Sequence, residues 1–358
     1  MTPVEDLSEA NSRRILDAAS LREPDQVPVY LPMAGGWLAE FYGVKERMIY
    51  FLPDIMLEAM LAARRRLHGL IDIKPELGMV IEASALGCKI KWPEDAPPWV
   101  TPCVRDASDV DTLKIPDPHR DALMAYALEI YGYMEKRIQE RGLNIPVGMP
   151  NSVGGPFTLA GTIAGLNNLL VWVGRQPDVA HELIGKCMEA VIVWCETQRE
   201  VAGRSLPVFL LDDYSGFISP HQFREFSLPY IREIFERLDH PLNVYHNDAP
   251  TSHLLELFPE TGMKIFHMGP GDTVDLEEAK RKIGSKICLM GNIDPVKTLS
   301  LGTPEEVEKE CLGCIKTAAE GGGFILAPGG ALCRGIPLEN LETLMGAVGK
   351  YGRYPLEL

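Results

Sequence analysis

The sequence predicts a closed (β/α)₈ barrel. Short apolar segments bounded by turn residues recur along the chain, and a helical segment or crossover follows each one. Strands that alternate with helices form right-handed βαβ units and therefore a parallel sheet. Eight such units within 358 residues match the strand number and size of this barrel. An open doubly wound sheet is less favoured, because no glycine-rich dinucleotide fingerprint follows the first strand.

The pattern assigns each element a position. The predicted strands are 27–31, 78–83, 145–149, 207–211, 242–245, 263–266, 286–290 and 323–327. The predicted helices are 6–19, 53–67, 123–141, 156–173, 178–199, 220–238, 250–257, 274–283, 304–319 and 338–348. The Pro- and Asp-rich segment 91–118 is expected to cover the surface. Since nothing in the composition divides the chain, residues 1–358 are expected to form one domain with an N-terminal helical extension.

The composition argues against several classes of protein. A formal net charge of −15 argues against nucleic-acid binding, which needs basic patches. The chain has no apolar run long enough to span a membrane, and its acidic start does not resemble a signal peptide, so the expected location is the cytoplasm. Eight cysteines in a chain of this length do not indicate a disulfide scaffold. Cys311 and Cys314 lie within a predicted helix and are expected to be core thiols.

The segment 242–250 carries the strongest functional signal. Its apolar first half reads as a buried strand, and it then changes abruptly to His246, Asn247 and Asp248. Catalytic residues of such barrels lie at the C-terminal ends of strands. Residues two apart on a strand point to the same side, so His246 and Asp248 can reach one ion, and a zinc site with an open position is predicted. A purely structural role, with His246 ending the strand and Asp248 capping a helix, remains an alternative.

Other strand ends supply further candidates. His267 or Cys333 would complete the metal site, although His267 could equally be a hydrogen-bonded neighbour of a ligand. Asp213 and Tyr214 would contact substrate or donate a proton, and His246 is also a catalytic candidate. Adjacent residues on a strand diverge, so one of Asp212 and Asp213 is expected to face the site. The predicted substrate-binding residues are Glu82, Asp212, Asn292, Tyr30 and Trp37.

Several segments resemble the uroporphyrinogen decarboxylase superfamily. The resemblance runs along nearly the whole chain and is carried by Gly154-Gly155-Pro156-Phe157-Thr158-Leu159-Ala160, Asp212-Asp213-Tyr214-Ser215-Gly216-Phe217-Ile218-Ser219-Pro220, Phe226-Ser227-Leu228-Pro229-Tyr230, Gly291-Asn292-Ile293-Asp294-Pro295 and Pro337-Leu338-Glu339-Asn340. The resemblance implies a single (β/α)₈ barrel, which agrees with the strand count.

The resemblance also implies which chemistry is absent. The family's decarboxylases bind a porphyrinogen through two arginines, an aspartate, a tyrosine, a serine and a histidine. The matching positions here hold, in that order, Pro32 and Gly36, Gly78, Thr162, Asp213 and Gly330. An added aspartate facing a polyanionic substrate is electrostatically unfavourable. Porphyrinogen decarboxylation is therefore not expected.

A second branch of the superfamily consists of cobamide-dependent methyltransferases. Members that methylate a thiol such as coenzyme M use a zinc site of His-x-Cys plus a later Cys. Here His246 is kept, Asp248 replaces the first Cys, and Gly330 stands at the later position, with Cys333 three residues downstream. The resemblance and the harder ligands predict transfer of a methyl group from a methoxylated donor, such as a phenyl methyl ether, to cob(I)alamin.

The resemblance further implies a partner. The cob(I)alamin would be presented by a separate corrinoid protein, while the barrel orients the small-molecule donor. Methyl transfer to a thiol and a decarboxylase-like barrel are the competing hypotheses. The sequence predicts neither a nucleic-acid nor a membrane partner and leaves open whether the chain forms a homodimer.

Overall fold

The computed structural model describes residues 6–357. Within that range, the regular sheet has six parallel strands that pair in chain order. These strands are Ser152–Gly154, Phe209–Leu211, Val244–Asn247, Ile265–Met268, Cys288–Ile293 and Phe324–Pro328. Each pairs with the next along the chain, and His246 lies opposite His267 in the register. The sheet runs parallel throughout because a helix or a crossover separates each strand from the next.

Isolated bridges extend this sheet at both edges. Val29 pairs in parallel with Leu326 of the last strand, and the Tyr30 N–H donates to the Leu326 carbonyl at 3.0 Å. Ile73 pairs in parallel with Val147, which precedes the first regular strand. Two short extended segments therefore occupy the first and second strand positions of the barrel. The predicted (β/α)₈ fold is confirmed.

Helices surround the sheet. Their bounds are Ser8–Ala19, Gly35–Tyr42, Glu46–Phe51, Pro53–Arg66, Ile81–Ala85, Ala107–Thr112, Ala122–Glu140, Pro156–Ala164, Leu166–Arg175, Pro177–Ala202, Pro220–Phe226, Leu228–Arg237, Leu276–Ile283, Pro304–Ala318 and Leu338–Tyr351. Short 3₁₀ helices span Asp213–Phe217 and Leu255–Thr261. Capping boxes at Ser219 and Thr303 fix two helix starts, because each side chain accepts the N–H of the third helical residue.

Apolar side chains fill the barrel from its N-terminal end. Val244, Ile265 and Ile325 point inward and pack together with Ala18 of the N-terminal helix. A second apolar layer lies between the sheet and the surrounding helices. This packing leaves the C-terminal ends of the strands as the open end of the barrel, where inward-facing residues can be polar.

The predicted second strand is wrong. Residues 78–83 contain a turn followed by the start of the helix Ile81–Ala85, and the extended segment lies earlier, at Ile73. Gly78 adopts φ +72°, a left-handed conformation that interrupts an extended chain. The buried residues Ile81, Glu82, Ala83 and Ser84 then follow one another on a short helix.

Other differences are smaller. Residues 250–257 do not form the predicted helix; a 3₁₀ helix, Leu255–Thr261, contains Pro259 instead. The segment 91–118 includes part of an antiparallel hairpin, Lys89–Lys91 with Trp99–Thr101. The predicted third strand, 145–149, holds only the isolated bridge of Val147, and the regular strand lies later, at Ser152–Gly154. The strands Val244–Asn247 and Ile265–Met268 begin and end two residues later than predicted, because ladder pairing continues into polar residues.

The state of the cysteines agrees with the prediction made from composition. All eight cysteines of the chain are free thiols, and Cys311 and Cys314 are buried in the helix Pro304–Ala318, as predicted. Among residues 6–357, no single helix has the length and apolar character needed to cross a membrane. One bent pair, Pro156–Ala164 and Leu166–Arg175, satisfies those two criteria with an angle of 110° between its helices.

Candidate metal centre and cavity

A cavity of ≈ 500 Å³ opens at the C-terminal ends of the strands. His246, Asp213 and Asp248 line one side of it. Apolar side chains make up much of the remaining wall and include Met33, Leu77, Met79, Leu159 and Leu211. Small-molecule sites commonly occupy roughly 300–1,000 Å³ and combine apolar walls with a few polar groups. The cavity therefore has the size and lining of a binding site for a small organic molecule.

The strand Val244–Asn247 orients the His246 imidazole. His246 is buried, and its Nδ1 lies 3.2 Å from the backbone carbonyl oxygen of His267 on the neighbouring strand. A carbonyl oxygen only accepts, so Nδ1 carries the proton and Nε2 keeps its lone pair. This arrangement leaves Nε2 free to bind a metal, because backbone hydrogen bonding of the other ring nitrogen commonly fixes a metal-binding histidine.

Two carboxylates meet this nitrogen. One ligand atom from each of Asp213, His246 and Asp248 lies within 4.8 Å of the other two. The His246 Nε2 is 3.6 Å from Asp213 Oδ1, and the Asp248 N–H donates to the same oxygen at 3.1 Å. His246 belongs to a strand, Asp248 follows it at the same-side spacing, and Asp213 begins the 3₁₀ helix after the neighbouring strand. Three strand-end residues thus converge on one point.

The electrostatics of the cluster favour a cation. Burial, together with the nearby Asp248 charge, raises the pKa of Asp213 to about 7. Burial lowers the pKa of His246, so its ring is neutral and does not balance the carboxylates. A divalent cation between these groups would relieve the repulsion and use the Nε2 lone pair.

The donor set fits zinc. Zn–N and Zn–O bonds of about 2.0–2.2 Å in a tetrahedral site put neighbouring ligand atoms about 3.3–3.6 Å apart. The 3.6 Å between His246 Nε2 and Asp213 Oδ1 is close to that separation. Three protein ligands also leave a fourth position for substrate or water, as in catalytic zinc sites. His246, Asp213 and Asp248 are therefore the residues that would hold the ion.

The two other predicted metal ligands lie outside this cluster. His267 lines the cavity, but its Nε2 donates to the Pro328 carbonyl at 2.8 Å, and burial lowers the pKa of its ring to about 3. Its own carbonyl accepts the proton of His246 Nδ1, so it acts as an orienting neighbour. The Cys333 thiol points instead at the Pro295 carbonyl, at 3.8 Å. Neither belongs to the cluster that the described residues form.

Three of the predicted substrate-binding residues face away from the cavity. Asp212 is buried and accepts the Thr158 N–H at 2.9 Å and the Ser227 hydroxyl at 3.0 Å. The Asn292 amide donates to two backbone carbonyls on the outer side of the sheet. The Trp37 indole N–H donates to the Ile336 carbonyl at 3.3 Å within the helical layer. These contacts stabilise the fold around the cavity, whereas Tyr30, Glu82 and Tyr214 do line it.

Substitution of Asp212 is expected to lower stability, whereas substitution of Asp213 is expected to lower zinc binding. Asp212→Ala leaves the Thr158 N–H and the Ser227 hydroxyl without their acceptor, so it should lower the free energy of unfolding by about 2–4 kcal/mol. Asp213→Ala removes a repelled carboxylate and should change that free energy by less than about 1 kcal/mol while lowering bound zinc. Urea unfolding and elemental analysis of both variants test this contrast. Equal zinc loss in both would contradict it.

Some cavity residues were not predicted. Glu46 is fully buried and accepts from the Tyr50 hydroxyl at 2.7 Å and from Arg334 Nε at 3.2 Å. Glu76 and Lys74 contribute further charges from the segment after the second strand position. These residues lie in loops and at a helix start, where sequence periodicity gives no signal. Charge gives no signal either, because Lys45 and Arg47 flank Glu46, and Asp72 and Lys74 precede Glu76.

The proteins to which this chain is similar are described either as decarboxylases or as methyltransferases. A family model described as uroporphyrinogen decarboxylase matches residues 10–351. A methylated-thiol–coenzyme M methyltransferase of Methanosarcina mazei is 28% identical over 296 residues, which cover 82% of this chain and 76% of the relative. A uroporphyrinogen decarboxylase of Pseudoalteromonas atlantica is 25% identical over 353 residues, 93% of this chain and 95% of the relative.

A solved structure shares the fold. It is described as a methyltransferase from Methanosarcina mazei and superposes with a TM-score of 0.80 at 22% sequence identity. The match covers 95% of this chain and 98% of the other. The similarity of the two chains therefore extends over the complete barrel.

Proposed function

Since the chain belongs to the uroporphyrinogen decarboxylase family, we propose that it is a corrinoid-dependent methyltransferase. It would take a methyl group from a small methoxylated compound and transfer it to cob(I)alamin on a separate corrinoid protein. The observation that carries this proposal is the cluster of Asp213, His246 and Asp248 in the cavity wall. The resemblance to a methyltransferase of Methanosarcina mazei supports it.

The charges of the cavity argue against a porphyrinogen substrate. The described lining includes the carboxyl groups of Glu46, Glu76, Glu82, Asp213 and Asp248, against the single ammonium group of Lys74. A substrate with many carboxylates would face repulsion there and would find few cationic partners. The cavity is better suited to a small donor with little or no negative charge.

The ligand set favours an oxygen-bound methyl group. Carboxylate and imidazole are harder ligands than thiolates, so they leave a bound metal ion a stronger Lewis acid. Zinc, when bound, would supply the polarisation that an ether oxygen needs before it can leave. His246, Asp213 and Asp248 would hold the ion, and the His267 carbonyl keeps the imidazole oriented towards it.

The remaining residues bind and orient the donor. Apolar side chains such as Met33, Met79 and Leu159 would pack against its hydrocarbon part and exclude water. Tyr30 and Tyr214 add aromatic surface. A cavity of ≈ 500 Å³ suits a small donor, so we propose that the much larger corrinoid approaches from outside the mouth on its own protein.

Methyl transfer to a thiol is the second candidate. The 28% identity to a methylated-thiol–coenzyme M methyltransferase favours it. The carboxylate at position 248 and the placement of Cys333 outside the cluster weigh against it, because a thiolate acceptor is better matched to sulfur-ligated zinc.

A donor panel tests the proposal. The protein is incubated with free cob(I)alamin and phenyl methyl ethers, methylthiols or methylamines, and formation of methylcobalamin is followed by its absorbance. We expect methylcobalamin with ethers and little with methylthiols. A parallel reaction contains methylcobalamin and a thiol. Methylation of the thiol without reaction of any ether would support the second candidate and contradict the first.

A further inference from the structure

Glu82 is a buried residue of the cavity wall, and its carboxyl group is not fully hydrogen-bonded within the described residues. It lies in the helix Ile81–Ala85, lines the cavity and is only 3% exposed. Its Oε1 has no hydrogen-bond partner among the described residues. A buried polar oxygen without a partner is costly, at roughly 1–3 kcal/mol. Since Glu82 lines the cavity, rotation of its carboxyl group would bring this oxygen to a molecule bound there.

The other glutamates of the cavity are already paired. Glu46 accepts from Tyr50 and Arg334, and Glu76 accepts the Gly78 N–H at 3.1 Å. Burial raises the pKa of Glu76, and the nearby Lys74 charge partly opposes that effect. Within residues 6–357, no cationic side chain shifts the pKa of Glu82 in this way. Burial raises the pKa of Glu82 to about 7, although backbone N–H groups, including that of Gly154, partly offset this.

The surroundings of Glu82 keep its proton available. The neighbouring helix Pro156–Ala164 carries no ionisable side chain. Cys195, on the helix Pro177–Ala202, senses the Glu82 charge, but burial raises the pKa of that thiol far enough to keep it neutral. The helices Pro177–Ala202 and Ala122–Glu140, which also pack against Ile81–Ala85, do carry charged side chains, but none of these shifts the pKa of Glu82.

We propose that Glu82 is the general acid that protonates the oxygen leaving the methyl donor. This assignment rests on the proposed function. The methyl–oxygen bond breaks, and its electron pair stays on the oxygen. The Glu82 proton moves to that oxygen and yields a phenol or alcohol. The methyl carbon forms its new bond with an electron pair from the cobalt of cob(I)alamin, and a proton taken from the buffered solvent then restores the Glu82 acid.

Other cavity groups fit this role less well. Asp213 and Asp248 belong to the metal cluster. Burial raises the pKa of Tyr30 well above that of an ordinary phenol. Tyr30 is therefore a weaker acid than the phenol that leaves the donor. The Glu46 carboxylate is already committed to Tyr50 and Arg334.

The test compares Glu82→Gln with the parent protein over methyl ethers whose phenols differ in acidity. Protonation matters most for weakly acidic phenols, so single-turnover rates with 2-methoxyphenol should fall by ~10²–10³-fold, the usual contribution of a general acid. Rates with 4-nitrophenyl methyl ether should fall by less than about 5-fold, because its phenolate leaves without a proton. Glu82→Asp, which retains an acid, should recover part of the lost rate.

The pH profile provides a second readout. The parent rate with 2-methoxyphenol should fall as the pH rises above about 7, where Glu82 loses its proton, and this decline should be absent in Glu82→Gln. An equal loss with every ether, or no loss with any, would overturn the assignment of Glu82. Absence of methyl transfer in the parent protein would overturn the proposed function instead.

A binding experiment tests Glu82 without turnover. 4-Nitrophenolate resembles the leaving group, and binding it above pH 7 should require Glu82 to take up a proton. Calorimetry in buffers of different ionisation enthalpy measures that uptake. We expect about one proton per site for the parent protein and none for Glu82→Gln. Equal proton uptake by both proteins would contradict the proposal.

Discussion

Replacing His246 by alanine is expected to remove the bound metal and nearly all methyl transfer. His246 supplies the buried nitrogen donor of the cluster that we propose as the metal site, and the hydrogen bond from Nδ1 to the His267 carbonyl holds its Nε2 in place. Loss of a partner that merely orients a metal ligand already costs about 10–100-fold. Loss of the ligand itself should therefore lower the rate by more than ~10²-fold. Elemental analysis and single-turnover kinetics measure both effects.

The control is a histidine away from the cavity. The His221 side chain is 88% exposed and lies on the helix Pro220–Phe226. His221→Ala should retain both zinc and activity. A His246→Ala protein that keeps its zinc would show that the metal is bound elsewhere. A folded His246→Ala protein that loses zinc but keeps its rate would show that methyl transfer does not depend on the metal.

Asp248→Cys is expected to change the character of the site. The substitution puts a thiolate at the position two residues after His246 and softens the ligand set. A softer site polarises an ether oxygen less, so transfer from phenyl methyl ethers should fall on the order of 10²-fold. The affinity for Cd²⁺ should rise. Cobalt substitution should add a sulfur-to-cobalt absorption band that the parent protein lacks.

Asp248→Asn distinguishes the effect of the carboxylate charge at position 248 from the effect of a softer ligand atom there. It removes the carboxylate charge without adding sulfur, so it should weaken metal binding without increasing the preference for Cd²⁺. If Asp248→Cys keeps the parent rate with ethers and shows no sulfur-to-cobalt band, then residue 248 does not contact the metal.

The barrel could be predicted because its signal is repeated. Each inward-facing strand must be apolar enough to pack, and each helix needs one apolar stripe, so many independent segments indicate the same fold. The prediction of the second strand failed because the segment that pairs at that position is short and forms a single bridge, at Ile73. The more apolar residues 78–83 attracted the prediction instead, although Gly78 and the helix beginning at Ile81 exclude a strand.

The candidate site was only partly predictable. Strand periodicity brings His246 and Asp248 to one side, and the structure places them together with Asp213. Periodicity alone could not decide between Asp212 and Asp213, because the chain turns into a 3₁₀ helix between them. Glu46, at the start of the helix Glu46–Phe51, and Glu76, in a loop, are far from His246 in sequence, and their positions depend on tertiary packing. Asn292, Trp37 and Cys333 were selected for residue type, yet their side chains make structural contacts outside the cavity.

X-ray absorption at the zinc edge of the purified protein tests the central claim most directly. The first coordination shell should contain nitrogen and oxygen atoms alone, at about 2.0–2.2 Å, with one imidazole that disappears in His246→Ala. A sulfur shell near 2.3 Å, or a protein that binds no zinc when it is supplied, would contradict a site built from His246, Asp213 and Asp248.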